Sequence, residues 1–353
     1  MVFPQLRIPV IQAPMAGGPS TPALAAAVIR AGGMGSLGVA YLGAERIAQD
    51  IRQTRALCEG SSGPLNVNLF IFPPPFDVDA AQARRAEAVL APLAQALGEP
   101  VPRLPVPPWH PPLTEQLEVI WAERPEVLSL HFGLPDPDVV ERAHTLGIRV
   151  GITATCVQEA LAIERIGADF VVAQGIEAGG HRGEFELSPT APEGLSSLEL
   201  LGALAGRLRI PIVAAGGLMD GADVARVLRA GAAAAQLGTA FLLCPEAGTT
   251  PSYRDLLRSA AGQAQRPVQF TRAFSGRWAQ GIENAFMRAV DAAGSTLPFP
   301  AQNALTATLR SAAARHSNAE HQSCWAGRAL QRIRELPAEQ LMHDLAAEIA
   351  QHR

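Results

Sequence analysis

The sequence contains no lysine, and all 29 of its basic residues are arginine. Three enzyme classes depend on a lysine amine: Schiff-base aldolases, pyridoxal-phosphate enzymes and ATPases with a Walker motif. The chain therefore belongs to none of them. Its 33 acidic residues leave a formal net charge of -4. This balance does not predict a surface for nucleic acid.

Cysteine is scarce, and Cys58, Cys156, Cys244 and Cys324 form no CxxC pair. This spacing predicts four thiols in a reducing compartment rather than disulfides. No apolar run reaches the roughly 18 residues of a membrane helix. The N-terminal stretch lacks the basic start, apolar segment and cleavage site of a signal peptide. We therefore expect a cytoplasmic protein with no membrane partner. Because no histidine pair has metal-ligand spacing, no metal site is expected either.

Eight short apolar runs recur along the chain, and most are followed by a segment with helical spacing. They are rich in Val, Ile, Leu and Ala without alternation, which is typical of strands buried on both faces of a parallel sheet. Strands alternating with helices predict an α/β fold, a (β/α)8 TIM-type barrel, with a doubly wound open sheet as the alternative. The runs cover residues 9–14, 33–38, 64–70, 127–132, 149–155, 170–175, 210–217 and 233–239.

Two regions interrupt this rhythm. Residues 73–112 contain two proline clusters and are too long for a simple barrel loop, so we interpret them as an insertion with a rigid proline segment. Residues 246–324 show helical patterns without a good strand. We expect 1–245 plus 325–353 to form the barrel, and 246–324 to form an inserted, mostly helical lid or substrate domain.

The glycines after the seventh and eighth predicted strands indicate a phosphate site. In such barrels these two loops commonly bind phosphate, because glycine lets backbone N–H groups approach the anion. Neither a metal nor a lysine is required. The expected contacts are Gly216, Gly217, Gln236, Leu237, Gly238 and Thr239. A literal GxGxxG from Gly33 to Gly38 follows a helix and leads into a strand, so it does not predict a dinucleotide fold.

Three other strand ends carry candidate contacts to a flat ring. Ala13, Pro14 and Met15 end the first predicted strand and can line a ring without adding charge. Asn68 lies inside an apolar strand, where it needs either a buried hydrogen-bond partner or a ligand. Gln174 ends the sixth strand and can both donate and accept a hydrogen bond, which suits the edge of a flavin.

A histidine within a glycine-rich loop is the candidate catalytic group. Gly179 and Gly180 give the chain conformational freedom just before His181, past the sixth strand. A histidine titrates near neutrality and can take or give a proton. His131 ends the fourth predicted strand and could reach the same barrel mouth; a satisfied buried histidine is the alternative for it.

At these residues the sequence resembles the class I nitronate monooxygenases, formerly called 2-nitropropane dioxygenases. The resemblance covers most of the chain, in the family's order. The matching pieces are QAPMAGGPSTPALAAAV, NVNLF, HFGLP, QGIEAGGHRG, PIVAAGGLMDGADV, QLGTAFL, TRAFSGRWAQGIEN, LTATLR and QSCWAG, between residues 12 and 327.

The resemblance implies an FMN-dependent flavoprotein that oxidises alkyl nitronates with O2, through a flavin semiquinone, to a carbonyl compound and nitrite. Propionate 3-nitronate is the implied substrate and detoxification the implied role. His181 matches the family's active-site histidine and His131 a second histidine of the pocket. A protonated His181 could hold the nitronate oxygens, or a neutral one could take the α-proton of a nitroalkane. Arg182 or Arg277 is the candidate partner of the substrate carboxylate. A homodimer is one alternative for the oligomeric state.

The sequence departs from the family pattern at Phe299, where tyrosine is usual, and at Arg328, where glutamine is common. Both leave the predicted flavin site intact but bear on the substrate. The rival predictions are an FMN-dependent NAD(P)H oxidoreductase, of the enoyl-reductase or quinone-reductase type, and a flavin-binding protein without turnover. Glu159 stands where those reductases would be expected to carry a histidine, which disfavours the first rival.

Overall fold

The computed structural model describes residues 3–58, 60–61, 63–262 and 266–352. Eight parallel strands form the barrel that the sequence predicts, in the order β1-β9-β8-β6-β5-β4-β3-β2. The barrel strands are β1 (Val10–Gln12), β2 (Gly35–Gly38), β3 (Leu65–Phe70), β4 (Val127–His131), β5 (Arg149–Ala154), β6 (Phe170–Gln174), β8 (Ile212–Ala215) and β9 (Ala234–Leu237). The ends of the sheet meet where the Gln12 N–H donates to the Met34 carbonyl, at 3.0 Å.

Helices follow most of the barrel strands, and their ends carry the expected capping residues. The Thr21 and Asp220 side chains accept hydrogen bonds from the first turns of α1 and α8, and Gly32, in the left-handed conformation, ends α1. The helices are α1 (Pro22–Ala31), α2 (Ala44–Leu57), α3 (Ala80–Leu97), α4 (Leu113–Glu123), α5 (Pro137–Thr145), α6 (Val157–Arg165), α7 (Ser197–Leu204), α8 (Gly221–Arg229), α9 (Pro251–Ala261), α10 (Ala285–Ala293), α11 (Ala301–Arg315) and α12 (Ala338–Gln351).

The barrel interior is filled by side chains and is not a pore. Phe170 lies at its centre, packed edge-on against Phe3 with ring centroids 5.3 Å apart. Gly151 leaves room for the Phe170 ring, since a Cβ added at this position would lie 2.1 Å from it. This packed floor closes one end of the barrel, so a ligand site can form only above it, at the carboxyl ends of the strands.

The two interrupting regions differ from expectation in their elements. Residues 73–112 contain an 18-residue helix, α3, beside the proline segment. Residues 246–324 contain two strands, β10 (Val268–Thr271) and β11 (Ala279–Ile282), as well as helices. Together with β7 (Gly180–His181) they form a separate antiparallel sheet in the order β10-β11-β7. Leu90 of α3 packs with α10 and α11 in one apolar cluster, so the two regions meet over the barrel.

The four cysteines are free thiols; Cys156 is half-buried and the other three are buried. No helix within the described ranges is long and apolar enough to cross a membrane. In the same ranges, no group of three or more His, Cys, Asp or Glu side chains is arranged to hold a metal ion.

Candidate active site

A cavity of about 560 Å³ lies at the carboxyl ends of the barrel strands, beneath the cover made by 246–324. It brings together residues that are far apart in the sequence. Of the predicted site residues it is lined by Ala13, Pro14, Met15, Asn68, His131, Gln174, Gly179, Gly180, His181, Gly216, Gly217, Gln236, Gly238 and Thr239. Leu237 is not in the lining, because its side chain packs in the core between strands and helices.

His181 lies on β7 at the junction between barrel and cover. Its main chain pairs with Ala279 of β11, and the next N–H, of Arg182, donates to the Trp278 carbonyl at 2.8 Å. The ring is surrounded by other rings, including Phe132 and Trp325, each with its centroid 5.5 Å away. Burial among them, and the charges nearby, lower the pKa of His181 to about 3. The imidazole is therefore neutral at pH 7.

Ser275 is the partner of the His181 ring. Its Oγ lies 2.8 Å from His181 Nε2. The same hydroxyl donates its proton to the Arg277 carbonyl at 3.1 Å. With the hydroxyl proton directed to that carbonyl, the His181 Nε2–H is the donor to Ser275 Oγ. This tautomer leaves Nδ1 of His181 as the ring's proton acceptor.

His131 and Gln174 support the His181 main chain. His131 Nε2 lies 3.3 Å from the His181 carbonyl, so it carries a proton and donates. Gln174 Nε2 donates to the same carbonyl at 2.9 Å, and its Oε1 accepts the Gly183 N–H at 2.8 Å. Burial lowers the pKa of His131 to about 3, so this ring is also neutral. Both side chains reach the cavity, but their polar groups already have protein partners.

Asn68 also has a buried protein partner. The sequence had left open whether such a partner or a ligand satisfies this side chain. Its Nδ2 donates to Ser129 Oγ at 2.9 Å, across the β3–β4 pair. Met15 is held from the other side, because its N–H donates to Ser20 Oγ at 2.8 Å. These bonds fix the Ala13–Met15 segment and Asn68 in the wall of one opening, with Asn68 still lining it.

The predicted phosphate loops present free backbone donors. Gly216 and Gly217 have positive φ angles of 114° and 71°, which an L side chain rarely adopts. In the described residues, the N–H groups of Gly216, Gly217 and Gly238 donate to no protein acceptor. Thr239 Oγ1 accepts the Gly327 N–H at 3.0 Å, which keeps its own proton available to a ligand. This arrangement can bind an anion without a lysine.

Neither arginine proposed as a carboxylate partner lines the cavity. Arg182 is buried and donates to the Gln174 carbonyl at 2.7 Å. Arg277 is buried over the Phe132 ring, 4.2 Å from its centroid, and its guanidinium donates to the Glu184 carbonyl. Through these bonds to main-chain carbonyls, both arginines tie the loop after His181 to the residues around it.

Tyr41, Ser275 and Arg310 are among the lining residues that the sequence did not predict. Ser275 and Arg310 lie in pieces that carry the family resemblance, FSGRWAQG and LTATLR, but nothing in their local pattern marks a pocket residue. Arg310 is one of 29 arginines, most of them on the surface. Only the packing of α11 over the barrel distinguishes it from the others.

Comparison with known sequences gives one consistent family. The model of the family described as "Nitronate monooxygenase" matches residues 5–348. A nitronate monooxygenase of Paraburkholderia phytofirmans is 42% identical, over 97% of this chain and 92% of the relative. Another, of Pseudomonas aeruginosa, is 41% identical over 98% of this chain and 97% of the relative.

Comparison with solved structures agrees. A nitroalkane oxidase from Streptomyces ansochromogenes superposes with a TM-score of 0.90 at 37% identity, covering 99% of this chain and 97% of the other. FabK from Thermotoga maritima superposes with a TM-score of 0.72 at 24% identity, covering 98% of this chain and 94% of the other; this likeness shows the fold alone. With the full-length matches to curated relatives, these findings show that the chain belongs to the nitronate monooxygenase family of oxidoreductases.

Proposed function

We propose that this protein is an FMN-dependent enzyme that oxidises small alkyl nitronates with O2 to a carbonyl compound and nitrite. The observation that carries the proposal is that neutral His181 and the free N–H groups of Gly216, Gly217 and Gly238 face one cavity. Propionate 3-nitronate is the proposed substrate and its detoxification the proposed role. Family membership supports this reaction.

The residues present fit FMN. The free N–H groups of Gly216, Gly217 and Gly238 suit the phosphate, and Ala13–Met15 with Asn68 suit the ring. Thr249 Oγ1 also lines the cavity, buried and without a protein partner, which is unusual for a hydroxyl unless a ligand satisfies it. The cavity of about 560 Å³ is within the usual range for a cofactor with a small substrate. FMN, when bound, would take electrons from the nitronate and pass them to O2.

Of the two candidate roles of His181, the neutral ring favours that of a proton acceptor over that of a charged partner of the nitronate. A pKa of about 3 keeps the ring neutral at pH 7, so it does not bring a positive charge to the nitronate oxygens. With Nε2–H directed to Ser275, the Nδ1 lone pair can accept the α-proton of a neutral nitroalkane or a hydrogen bond from the substrate. His131 and Gln174 act through the His181 main chain and are positioning residues.

The surroundings of Glu159, which stands where a reductase would be expected to carry a histidine, do not support the reductase alternative. Its carboxylate accepts hydrogen bonds from the Thr155 N–H at 2.6 Å and the Phe185 N–H at 2.8 Å. It therefore ties the start of α6 to the loop after His181. Glu159 does not line the cavity, so its position offers no group for a nicotinamide substrate.

The test is anaerobic mixing of the flavin-loaded protein with propionate 3-nitronate and, separately, with NADH, while the visible flavin absorption is recorded. A rapid spectral change with the nitronate and none with NADH, followed by nitrite release on adding O2, supports the proposal. Rapid bleaching by NADH with no response to the nitronate would overturn it in favour of a reductase. Silence toward both would leave a flavin-binding protein.

The variant His181→Asn separates an enzyme from a binder. It keeps a polar side chain on β7 but removes the basic nitrogen. We expect turnover of a neutral nitroalkane to fall by about 100-fold or more, within the usual worth of a general base. Flavin content should stay unchanged, because the phosphate loops are not altered. Loss of flavin together with activity would show that His181 serves the binding site instead.

A further inference from the structure

One end of the cavity carries a single permanent positive charge. Among the described residues, Arg310 on α11 is the only formally charged side chain that lines the cavity, and no Asp or Glu does so. Both lining histidines are neutral at pH 7, since their pKa values are lowered to about 3. The positive charge at this end therefore belongs to Arg310 alone.

The Arg310 guanidinium is held in place by its own helix. Its Nη2 donates to Asn303 Oδ1 at 2.8 Å and its Nε to Thr306 Oγ1 at 3.2 Å. These partners are neutral, and no carboxylate in the described residues pairs with this side chain. Nη2 also donates to the Asn303 carbonyl at 3.0 Å, whereas Nη1 has no acceptor among the described residues, so its two N–H groups remain free.

Two neutral donors stand beside it. The Tyr41 hydroxyl is inaccessible to solvent and has no hydrogen-bond partner, and the Arg310 charge acts on it to lower its pKa against the effect of burial. Asn303 also lines the cavity, and because its Oδ1 accepts from Arg310, its amide Nδ2 remains a donor. Arg310, Tyr41 and Asn303 thus form a set of donors, here called the arginine end, without an acceptor.

Buried donors without acceptors cost free energy unless a ligand supplies the missing acceptors. Burial lowers the pKa of Arg310, which means that its charged form is destabilised by lost solvation. A buried cation is normally paired, and a buried hydroxyl is normally hydrogen-bonded. The free N–H groups of Nη1 can donate charge-assisted hydrogen bonds to a carboxylate, which supplies both the acceptor and the opposite charge.

We propose that the arginine end binds a carboxylate of the substrate, so that the enzyme selects nitronates that carry a carboxylate over those with a plain alkyl tail. This inference rests on the proposed function and assigns its substrate specificity to Arg310, in place of Arg182 and Arg277. The nitronate group then lies toward His181, and the carboxylate toward α11.

A binding measurement tests the carboxylate site without requiring turnover. Succinate has the shape of propionate 3-nitronate with a carboxylate in place of the nitronate, and butyramide is a neutral counterpart without any carboxylate. Calorimetric titration of the holoenzyme should give a Kd for succinate at least about tenfold below that for butyramide. Arg310→Met should abolish this preference. Equal affinities in the unaltered protein, or a preference that survives in Arg310→Met, would overturn the inference.

Turnover supplies the second test. With propionate 3-nitronate, Arg310→Met should lower kcat/KM by about 100-fold, mainly through KM, as expected for loss of a charge-assisted contact to the carboxylate. With propyl-1-nitronate, which has no carboxylate, the change should stay within about threefold. An equal loss with both substrates would show a general role for Arg310 and refute the inference. Failure of the unaltered enzyme to oxidise either nitronate would refute the proposed function instead, while the calorimetry would still report on the carboxylate site.

Matched variants control for charge and folding. Arg315 lies on the same helix but is exposed, so Arg315→Met removes the same charge without touching the cavity. It should keep the preference for succinate. Arg310→Lys retains the charge but not the planar group and should keep part of the preference. Tyr41→Phe removes only the hydroxyl and should weaken succinate binding by about fivefold while leaving the binding of butyramide unchanged. Loss of the preference in Arg315→Met would contradict the assignment to the arginine end.

Discussion

Ser275 and His181 lie 94 positions apart, yet their hydrogen bond decides which ring nitrogen can react. The bond is fixed from the other side by the Arg277 main chain, whose carbonyl accepts the Ser275 proton. Nothing in the FSGRW sequence shows that its serine meets a histidine. The role of His181 at the residue scale therefore depends on a contact that only folding creates.

We expect Ser275→Ala to lower kcat for a neutral nitroalkane by about 10- to 100-fold with little change in KM, because a hydrogen bond that orients a catalytic group contributes on the order of 1–3 kcal/mol. The pH profile of kcat should also change, since the ring can then carry its proton on either nitrogen. Ser275→Thr should restore most of the rate. Ser259→Ala, on the exposed face of α9, is the control. An unchanged kcat in Ser275→Ala would show that His181 needs no partner.

Gln174 has protein partners that the sequence did not predict. The sequence predicted a polar side chain at the mouth of the barrel, and Gln174 lines the cavity. Its amide, predicted to meet a flavin edge, bonds to the main chain of His181 and Gly183. The position of Gln174 follows from its place at the end of a buried strand. Its hydrogen-bond partners depend on how the next loop folds back onto that strand.

At the scale of elements, the small sheet β10-β11-β7 joins the cover to the barrel. It holds His181 through β11, and the 325–327 segment passes beside Gly179. A Cβ on Gly179 would lie 2.5 Å from the main-chain carbon of Ala326 and the nitrogen of Gly327. Real Cβ atoms do not approach backbone this closely, so one of the two segments would have to move.

Gly179→Ala should therefore destabilise the protein by about 1–3 kcal/mol and reduce its flavin content, because overpacking forces the backbone apart. Gly202 in α7 is the matched control, since an added Cβ there meets nothing within 4 Å. Gly202→Ala should be neutral or stabilising by up to about 1 kcal/mol, as alanine favours a helix. Chemical denaturation and the flavin-to-protein absorbance ratio measure both effects. Equal behaviour of the two variants would contradict the close approach at Gly179.

The whole molecule should lose stability as the pH falls, through its buried histidines. His131 and His181 have pKa values near 3 when folded, against an ordinary value of 6.5. Between these values the unfolded chain binds more protons than the folded one, so acidification favours unfolding. The stabilising contribution is complete above pH 6.5 and is lost on going down toward pH 3. The raised pKa values of Glu177 and Glu184 act in the opposite direction.

Comparison of variants isolates the histidine contribution. Each buried histidine should add a slope of up to about 1.4 kcal/mol per pH unit to the free energy of unfolding between pH 6.5 and 3. His181→Asn should therefore show a shallower dependence than the unaltered protein when denaturation is measured from pH 7 to pH 5. His343→Asn, on the exposed side of α12, is the matched control for removing a histidine outside the cavity. A slope unaffected by His181→Asn would mean that this ring is not held neutral by the fold.

The sequence by itself determined the barrel fold and the end of the barrel at which the cavity lies. Buried parallel strands are encoded locally, in apolar runs bounded by glycine and capped helices, and the carboxyl ends of such strands meet at one face. Hence the eight strands could be named in advance, as could the glycine loops and His181 that line the cavity above them. The tertiary structure alone decided the strands β10 and β11, the serine that orients His181 and the arginine end. These depend on contacts between segments far apart in the chain, and a short strand or a lone arginine has no local pattern that records its partner.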